Sequence, residues 1–562
     1  MSDIPKKKAI IMGKSRLPLC LALTAAFAAV YFYVALPAIN LHDPSFYFFF
    51  LLCTVVFCVL TLVTGNYQPE NNQEALRTVW KQCKWPLMAC AVLVVVLLVG
   101  SLLGSVVFRS DAYTQLLPIE TGDFATDVAE ISFDKVPMLD KDSAARLGSR
   151  KLGELADMVS QFEVAENYSQ INWQDTPVRV ATLRYGDLFK WFNNMKDGLP
   201  AYVRVDMVEQ SAEVVRLSEG MKYTTYDHFG RNLYRLLRFR HPTWMFAQPN
   251  FEIDETGEPW WICPRMVKTI GLFGGTDIDG AVLVNAITGE SEYYAATDIP
   301  DWVDRVYVAE LLIQQYNYYG QYQNGFLNSM FGQKGCTVTT EGYNYIALND
   351  DVYVYTGVTS LGGDESNVGF VLINQRTKAA KYYPCAGAEE YSARDSAEGA
   401  VQQYGYVSTF PLLLNIADQP TYFMALKDSA GLVKMYAMVN VQQYQIVATG
   451  YSLSECQERY HELLADNGLA DESGEDEDEK KESVKLEGTL VDLRQANIDG
   501  NTVYYLLIEG SDVYFTVSAK EFSDAPLLDV GDKVTLEYYE AEGESIIKAV
   551  KMSFEKGNPL AR

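Results

Sequence analysis

Histidine is scarce. The chain has four in 562 residues, and only His228, His241 and His461 follow residue 108. No HExxH, GxSxG, phosphate-loop or dinucleotide-binding glycine pattern occurs. Those motifs set a base, a nucleophile or backbone donors at fixed spacing. Their absence removes the sequence signatures of zinc peptidases, serine hydrolases and nucleotide enzymes. A Cys263–His241 couple would need the two side chains adjacent in space, and no catalytic residue is assigned. Cysteine is thin as well. Cys20, Cys53, Cys58 and Cys90 sit in apolar runs, Cys83 lies between two of them, and only Cys263, Cys336, Cys385 and Cys456 come later. Four in so long a segment is no disulfide framework. Bridges, with three pairings open, and free thiols both fit. No Cys/His spacing suits zinc, and the reading calls for no metal or cofactor. Basic charge is short too, with 46 Lys+Arg against 73 Asp+Glu and a net of -27. A phosphate backbone needs a basic face, so a nucleic-acid partner is excluded.

What the chain has is apolar length near its start. Leu17–Ile39, Phe46–Thr64 and Pro86–Phe108 carry no charged residue. A bilayer core needs roughly 20 helical residues, and a helix satisfies its own backbone in hydrocarbon. The first run is too long for a signal-peptide core. Charge sets the expected orientation. Lys6, Lys7, Lys8, Lys14 and Arg16 precede the first run, the 41–45 link has no Lys or Arg, and Arg77, Lys81 and Lys84 lie between the second and third runs. The N-terminus is therefore expected in the cytoplasm and everything after Arg109 outside, in a multi-pass protein of the cell membrane. Residues 1–108 hold eight Lys/Arg and four Asp/Glu, so the acidity belongs to the rest. Gly100 and Gly104 form a GxxxG, which permits close helix packing.

The expected order is a cytoplasmic basic segment (1–16), three transmembrane helices (17–108), an extended stalk (109–140), an α+β ectodomain (141–470), an acidic linker (471–483) and a small β-barrel (484–555). The stalk reading rests on Pro118, Pro137 and weak periodicity. Helices are expected at Asp142–Glu163, capped by Asp142 or Ser143, and at Tyr185–Lys196, Trp302–Tyr319 and Ala388–Tyr404. The strongest ectodomain signal is a repeat. GAVLVNAITGESEYY (280–294) and GFVLINQRTKAAKYY (369–383) share Gly280/Gly369, Asn285/Asn374, Thr288/Thr377, Tyr293/Tyr382 and more. The pattern is a strand, an Asn-led turn and a second strand. Weaker versions stand at Tyr202–Val215, with Asp206 in the Asn place, and at Tyr436–Gly450, with Asn440 there.

The helix, strand, Asn-x-x-Thr turn, strand order resembles PepSY domains, small α+β modules found outside bacterial cells. With the three-span anchor, the chain is similar to uncharacterised envelope proteins of clostridia-like Gram-positive bacteria. That resemblance supplies no site residues.

Asp471–Glu482 (DESGEDEDEKKE) repels itself and reads as a linker. After it come short strands at Val484–Leu493, Thr502–Glu509, Val513–Val517, Lys533–Tyr539 and Ser545–Met552, with a turn at Asp499-Gly500. Five strands and the approach Leu527-Leu528-Asp529-Val530-Gly531-Asp532 resemble an OB-type barrel.

Two groups are candidate binding residues. Arg231, Arg235 and Arg238 fall on one helical face with Arg240 beside them, a basic stripe suited to anionic wall polymer, phosphate or lipid headgroups. Trp260 and Trp261, with Trp244, suit a sugar or peptide platform. The D-x-D of Asp277 and Asp279, Asp350-Asp351 and Asp364-Glu365 fit turns. The expected protein is a membrane-anchored, non-enzymatic envelope component whose outer modules bind protein or wall polymer. A hydrolase using paired carboxylates and a signal-sensing ectodomain are the alternatives. Its expected partners are the lipid bilayer and an envelope protein or anionic wall polymer. Nothing in the sequence fixes its oligomeric state.

Overall fold

The computed structural model describes residues 17–64, 72–130, 136–348, 350–362, 366–469, 484–498, 501–511, 513–519, 522, 524–538 and 546–556. The basic N-terminal segment, the acidic linker and the Asp364-Glu365 and Asp499-Gly500 turns lie outside those residues. Two compact units, Met1–Ala470 and Asp471–Arg562, divide where the acidic linker begins.

Three helices are long and apolar enough to cross a membrane: Leu17–Ala35, Pro44–Thr64, and Trp80–Leu103 within the longer helix Asn72–Leu103. Apolar side chains such as Val34 and Leu98 point outward, as a bilayer requires. The GxxxG packs against a hairpin tip, not a helix. A Cβ on Gly100 would meet Phe273 and Leu272, and one on Gly104 would meet the Ile270 carbonyl at 3.1 Å. His42 Nδ1 lies 2.7 Å from the Leu272 carbonyl, and the Tyr47 and Phe273 rings meet edge to face. The same small residues that favour helix pairs thus seat the body on its anchor.

The 109–140 stretch is no free stalk. Helix Val106–Thr114 follows the third span. Ile119–Thr121 joins a sheet of the body as a parallel strand against Ala380–Ala388, and Leu117, Phe124, Val136 and Leu139 are buried. Its order comes from a strand far along the chain, which local periodicity does not encode.

The body then builds the same sheet four times. The first is Phe162–Val164, Ser169–Trp173, Thr176–Tyr185, Leu199–Asp206 and Ser211–Met221. The second is Met245–Phe246, Asn250–Ile253, Pro259–Ile270, Gly274–Asn285 and Ser291–Ala295. The third is Thr337–Thr339, Asn344–Leu348, Asp351–Ser360, Ser366–Asn374 and Ala380–Ala388. The fourth is Val407–Ser408, Leu412–Ile416, Gln419–Lys427, Val433–Asn440 and Val447–Gly450. In each, strands one and two both pair with three, three with four, and four with five. A helix precedes each sheet: Lys141–Gly153, Leu233–Arg240, Ala309–Tyr322 and Glu390–Ala400. The first ends sooner than its apolar spacing predicts, because Phe162–Val164 pairs with Thr176–Tyr185. Its cap is Asp140, which accepts from the Ser143 amide. The predicted helix at Tyr185–Lys196 forms only over Leu188–Asn194.

The repeat identities have physical causes. The Asn285 side chain accepts from the amides of Ile287 and Thr288, and Asn374 accepts from Arg376 and Thr377. Asp206 and Asn440 bind the matching amides in the outer two sheets. All four are side-chain-led turns. Gly280 and Gly369 each sit at a register shift, and an added Cβ would strike the carbonyl of Tyr294 or Tyr383. Such bulges favour glycine. Tyr293 and Tyr382 donate to the carbonyl just before each of those glycines.

The sheets close a ring. Shared apolar cores join the first to the second, the second to the third and the third to the fourth. Fourth meets first through Lys427–Asp140 at 2.6 Å and Gln210–Tyr436 at 2.8 Å. Across the middle, the Asn172 amide donates to Asp304 at 2.7 Å.

In the C-terminal unit, Val484–Ile498 pairs with Asn501–Ile508 and with Lys533–Tyr538, Asn501–Ile508 with Tyr514–Ser518, and Ile546–Glu555 with both Tyr514–Ser518 and Lys533–Tyr538. The five expected strands all form. They enclose Leu506, Phe515, Val534 and Leu536.

Candidate functional site

The entrances of the second strands converge on one cavity of about 520 Å³. Residues 167–169, 248–251, 343–345 and Phe410 supply one wall from each repeat. Arg179 reaches it from the third strand of the first sheet. It is 5% exposed, and one terminal nitrogen donates to Gln170 at 2.9 Å. Arg305 reaches it from the loop before Ala309–Tyr322. That loop is pinned by buried Glu252, whose carboxylate accepts the amides of Asp304 at 2.9 Å and Arg305 at 3.1 Å. The Arg305 guanidinium donates to Tyr345 at 3.0 Å.

Three nitrogens of lining residues, Arg179 Nε, Arg305 Nε and Trp261 Nε1, have no partner and are closed to solvent, and the unpartnered Tyr168 hydroxyl lies against Gly148 of helix Lys141–Gly153. Buried donors are normally satisfied. Among the described residues, no carboxylate bonds either guanidinium. Burial, helped by the like charge of Arg305 and opposed by Tyr345, Asp140 and Asp142, brings Arg179 down to about 10, so it stays a cation at neutral pH. Burial also raises the Tyr168 hydroxyl, which stays protonated. Of the three acids at the cavity, Asp142 is exposed and its charge acts on Arg179, while the other two are engaged. Glu310 accepts from Tyr343 at 2.7 Å. Burial would raise Asp140, but its bonds with Lys427 and Ser143 hold it below its ordinary value. Two guanidiniums that line one hollow and bond only neutral side chains fit an oxyanion.

Catalytic groups are not gathered here. Cys263 is buried, burial pushes its thiol up, and it points at the Trp261 carbonyl. His241 stacks on Trp244 with centroids 4.1 Å apart. Burial raises both Glu252 and Asp304, and the Glu252 charge raises Asp304 further. Neither lines the cavity, and both accept backbone amides. Asp277 binds Lys378 at 2.7 Å, and Asp279 faces Arg265 at 3.6 Å. Asp351 pairs with Arg376 at 2.6 Å. Among the described residues, no cluster of three metal-ligating side chains forms. All nine cysteines are free.

The two groups picked out by sequence pattern fare differently. Trp260 and Trp261 are strand neighbours and face opposite ways, so they make no common platform. Trp261 is core and cavity wall, whereas Trp260 bonds Asp254 and packs on Trp302. The basic stripe meets the end of the first span. Arg235 stacks over Tyr33 at 4.2 Å and donates to its carbonyl. Arg238 donates to the carbonyls of Leu36 at 2.9 Å and Trp244 at 2.6 Å. Arg240 turns away to Gly289 and Ser291, and one buried Arg231 nitrogen has no partner. Sequence reasoning missed Arg179 and Arg305. The available signal was a cation set inside the apolar strand PVRVATL.

No protein-family model and no curated protein matches the chain. Among solved structures, a crystal structure of an ACO/RPE65 chimera aligns at 7% identity and a TM-score of 0.13, over 70% of this chain and 62% of that one. The aligned part is less than two thirds of that protein, and the likeness carries no argument.

Proposed function

We propose that the chain is a non-enzymatic, membrane-anchored envelope protein whose body stands outside the cytoplasm and binds an anionic group in its central cavity. A phosphate or carboxylate borne by a wall polymer or an envelope protein is the intended ligand. The observation that carries this is the pair of guanidiniums, Arg179 and Arg305, which line one hollow and bond only neutral side chains. The basic flanks of the first and third spans support the orientation. The repeated helix, strand, turn and strand supports the PepSY-like reading. The C-terminal unit supports an OB-type barrel by its order, in which the third strand pairs in parallel with the fifth, and it serves as a second binding module. The hydrolase alternative needs a carboxylate pair open to substrate, and Glu252 and Asp304 are closed off at 0% and 2% exposure.

Calorimetric titration of the full chain in lipid nanodiscs tests the cavity. The probes are inorganic phosphate, acetate and poly(glycerol phosphate). Arg179→Met and Arg305→Met are each expected to weaken the binding probe about tenfold, or ~1.4 kcal/mol. Wild-type affinity in both variants, or no binding by any probe, would overturn the reading. Protease added to intact cells should remove residues 109–562, and full protection would reverse the orientation.

A further inference from the structure

A patch of the body beside the first span is apolar and faces outward. Helix Leu188–Asn194 buries Trp191 but exposes Phe189 (81%) and Phe192 (53%). Phe229 (57%) and Phe239 (57%) extend the patch. Large exposed aromatic groups in water are a liability and mark a contact surface. Two contacts say what covers this one. Phe239 packs against Phe32 and Tyr33 in the last turns of the first span, at 5.7 and 6.2 Å. Arg235, stacked on Tyr33, also donates to the Phe229 carbonyl, and the Phe229 ring lies 5.6 Å from Trp191. The patch therefore continues directly from the end of a membrane-crossing helix, at the level where a bilayer changes from hydrocarbon to headgroup.

Phe229 is also held at φ 50°, a region that bulky side chains avoid. Its loop is fixed from below. Asp227 accepts from Trp191 Nε1 at 2.8 Å, and Asn232 donates to the Asp227 carbonyl at 3.0 Å. Strain kept in place by such bonds marks a positioned group, not a loose one.

The geometry points to a bilayer-resting foot: Phe189, Phe192, Phe229 and Phe239 sit in the interface of the membrane that the spans cross, with Arg235 and Arg238 at headgroup level. Aromatic rings favour that zone, and the two arginines there hold the end of the span through backbone carbonyls. The foot fixes the body's tilt and thus the direction in which the cavity opens. It needs the anchor to span a bilayer but no cavity ligand, so it stands or falls separately from the anion-binding reading.

The test places a fluorescent amino acid at 189, or at 192 as a second site, in the full chain in nanodiscs. The control site is 458, where Glu458 is exposed on helix Leu453–Asp466. Phosphatidylcholine brominated near the top of its acyl chains should quench the reporters at 189 and 192 at least threefold more than the one at 458. Aqueous iodide should quench them less. Equal quenching by brominated lipid, or iodide reaching 189 as readily as 458, would overturn the foot. A protein partner covering the patch would show as protection from both quenchers, which also overturns it.

Discussion

Two pairs of arginines stand in contrasting surroundings in this body. Arg235 and Arg238 lie at the end of the first span and bond backbone carbonyls. Arg179 and Arg305 line the ring's cavity and bond neutral side chains. The last carbonyls of a helix lack intrahelical partners, and a cation beside them is favourable. The first pair therefore fastens. The second pair is held in place by hydrogen bonds to neutral groups, Gln170 and Tyr345, with carboxylates acting on it only through space. Positive charge on a surface helix is thus no guide to where a ligand goes. The number of hydrogen bonds already made is the better guide.

The sharpest way to break this contrast is at the fastening pair. Leu36 closes the first span at φ 52°, where glycine is the usual residue, and Arg238 holds its carbonyl. Arg238→Met removes the bonds to Leu36 and Trp244, and hydrogen bonds to charged groups contribute about 1.5–3 kcal/mol each. Unfolding of the nanodisc-held body should become easier by roughly 3 kcal/mol, with anion affinity unchanged. A variant of wild-type stability would show that the pair does not fasten.

The effect at Asp227, beneath the same loop, should be smaller and should depend on pH. Burial pushes its carboxyl up to about 6 from an ordinary 3.8, against the pull of Trp191, Thr224 and Arg231. The folded state favours the neutral form. Its contribution is complete below pH ~4 and is lost as pH rises through about 6. Asp227→Asn keeps an acceptor for Trp191 without the charge. Relative to wild type, it should gain on the order of 1–2 kcal/mol between pH 4 and 7. Parallel stability curves for the two proteins would show that Asp227 does not titrate there.

The apolar helices and the five C-terminal strands were legible because each is a local pattern of apolarity. The repeat was legible for a different reason. Asn285 and Asn374, Gly280 and Gly369, and Tyr293 and Tyr382 each do the same bonding task twice, so the same residue types recur. The other two copies keep only the turn, with Asp206 and Asn440 in place. A fourfold body therefore showed as one clear pair and two faint echoes. The cavity was not legible. Its walls come from four segments spread along the chain, and only ring closure brings Arg179 to Arg305. The 109–140 segment was misread for the same reason, since its strand takes its order from Ala380–Ala388.

The smallest expected change in stability belongs to the cavity pair, and it separates the two roles most cleanly. Arg179 lies among Val178, Val180 and Ala181, which are buried to within 2% of completely. A guanidinium there loses hydration and gains one bond, to Gln170. Replacing a buried charge by an apolar group of similar length is often neutral or stabilising. Arg179→Met removes a buried charge but leaves the Gln170 carbonyl without its donor, so the body should stay within about 1 kcal/mol of wild type while anion binding falls. Arg179→Lys, without the planar fork, should also lose binding. A residue kept for the fold would behave oppositely, with stability lost and affinity intact. Thermal unfolding and titration on the same nanodisc preparation read both axes at once.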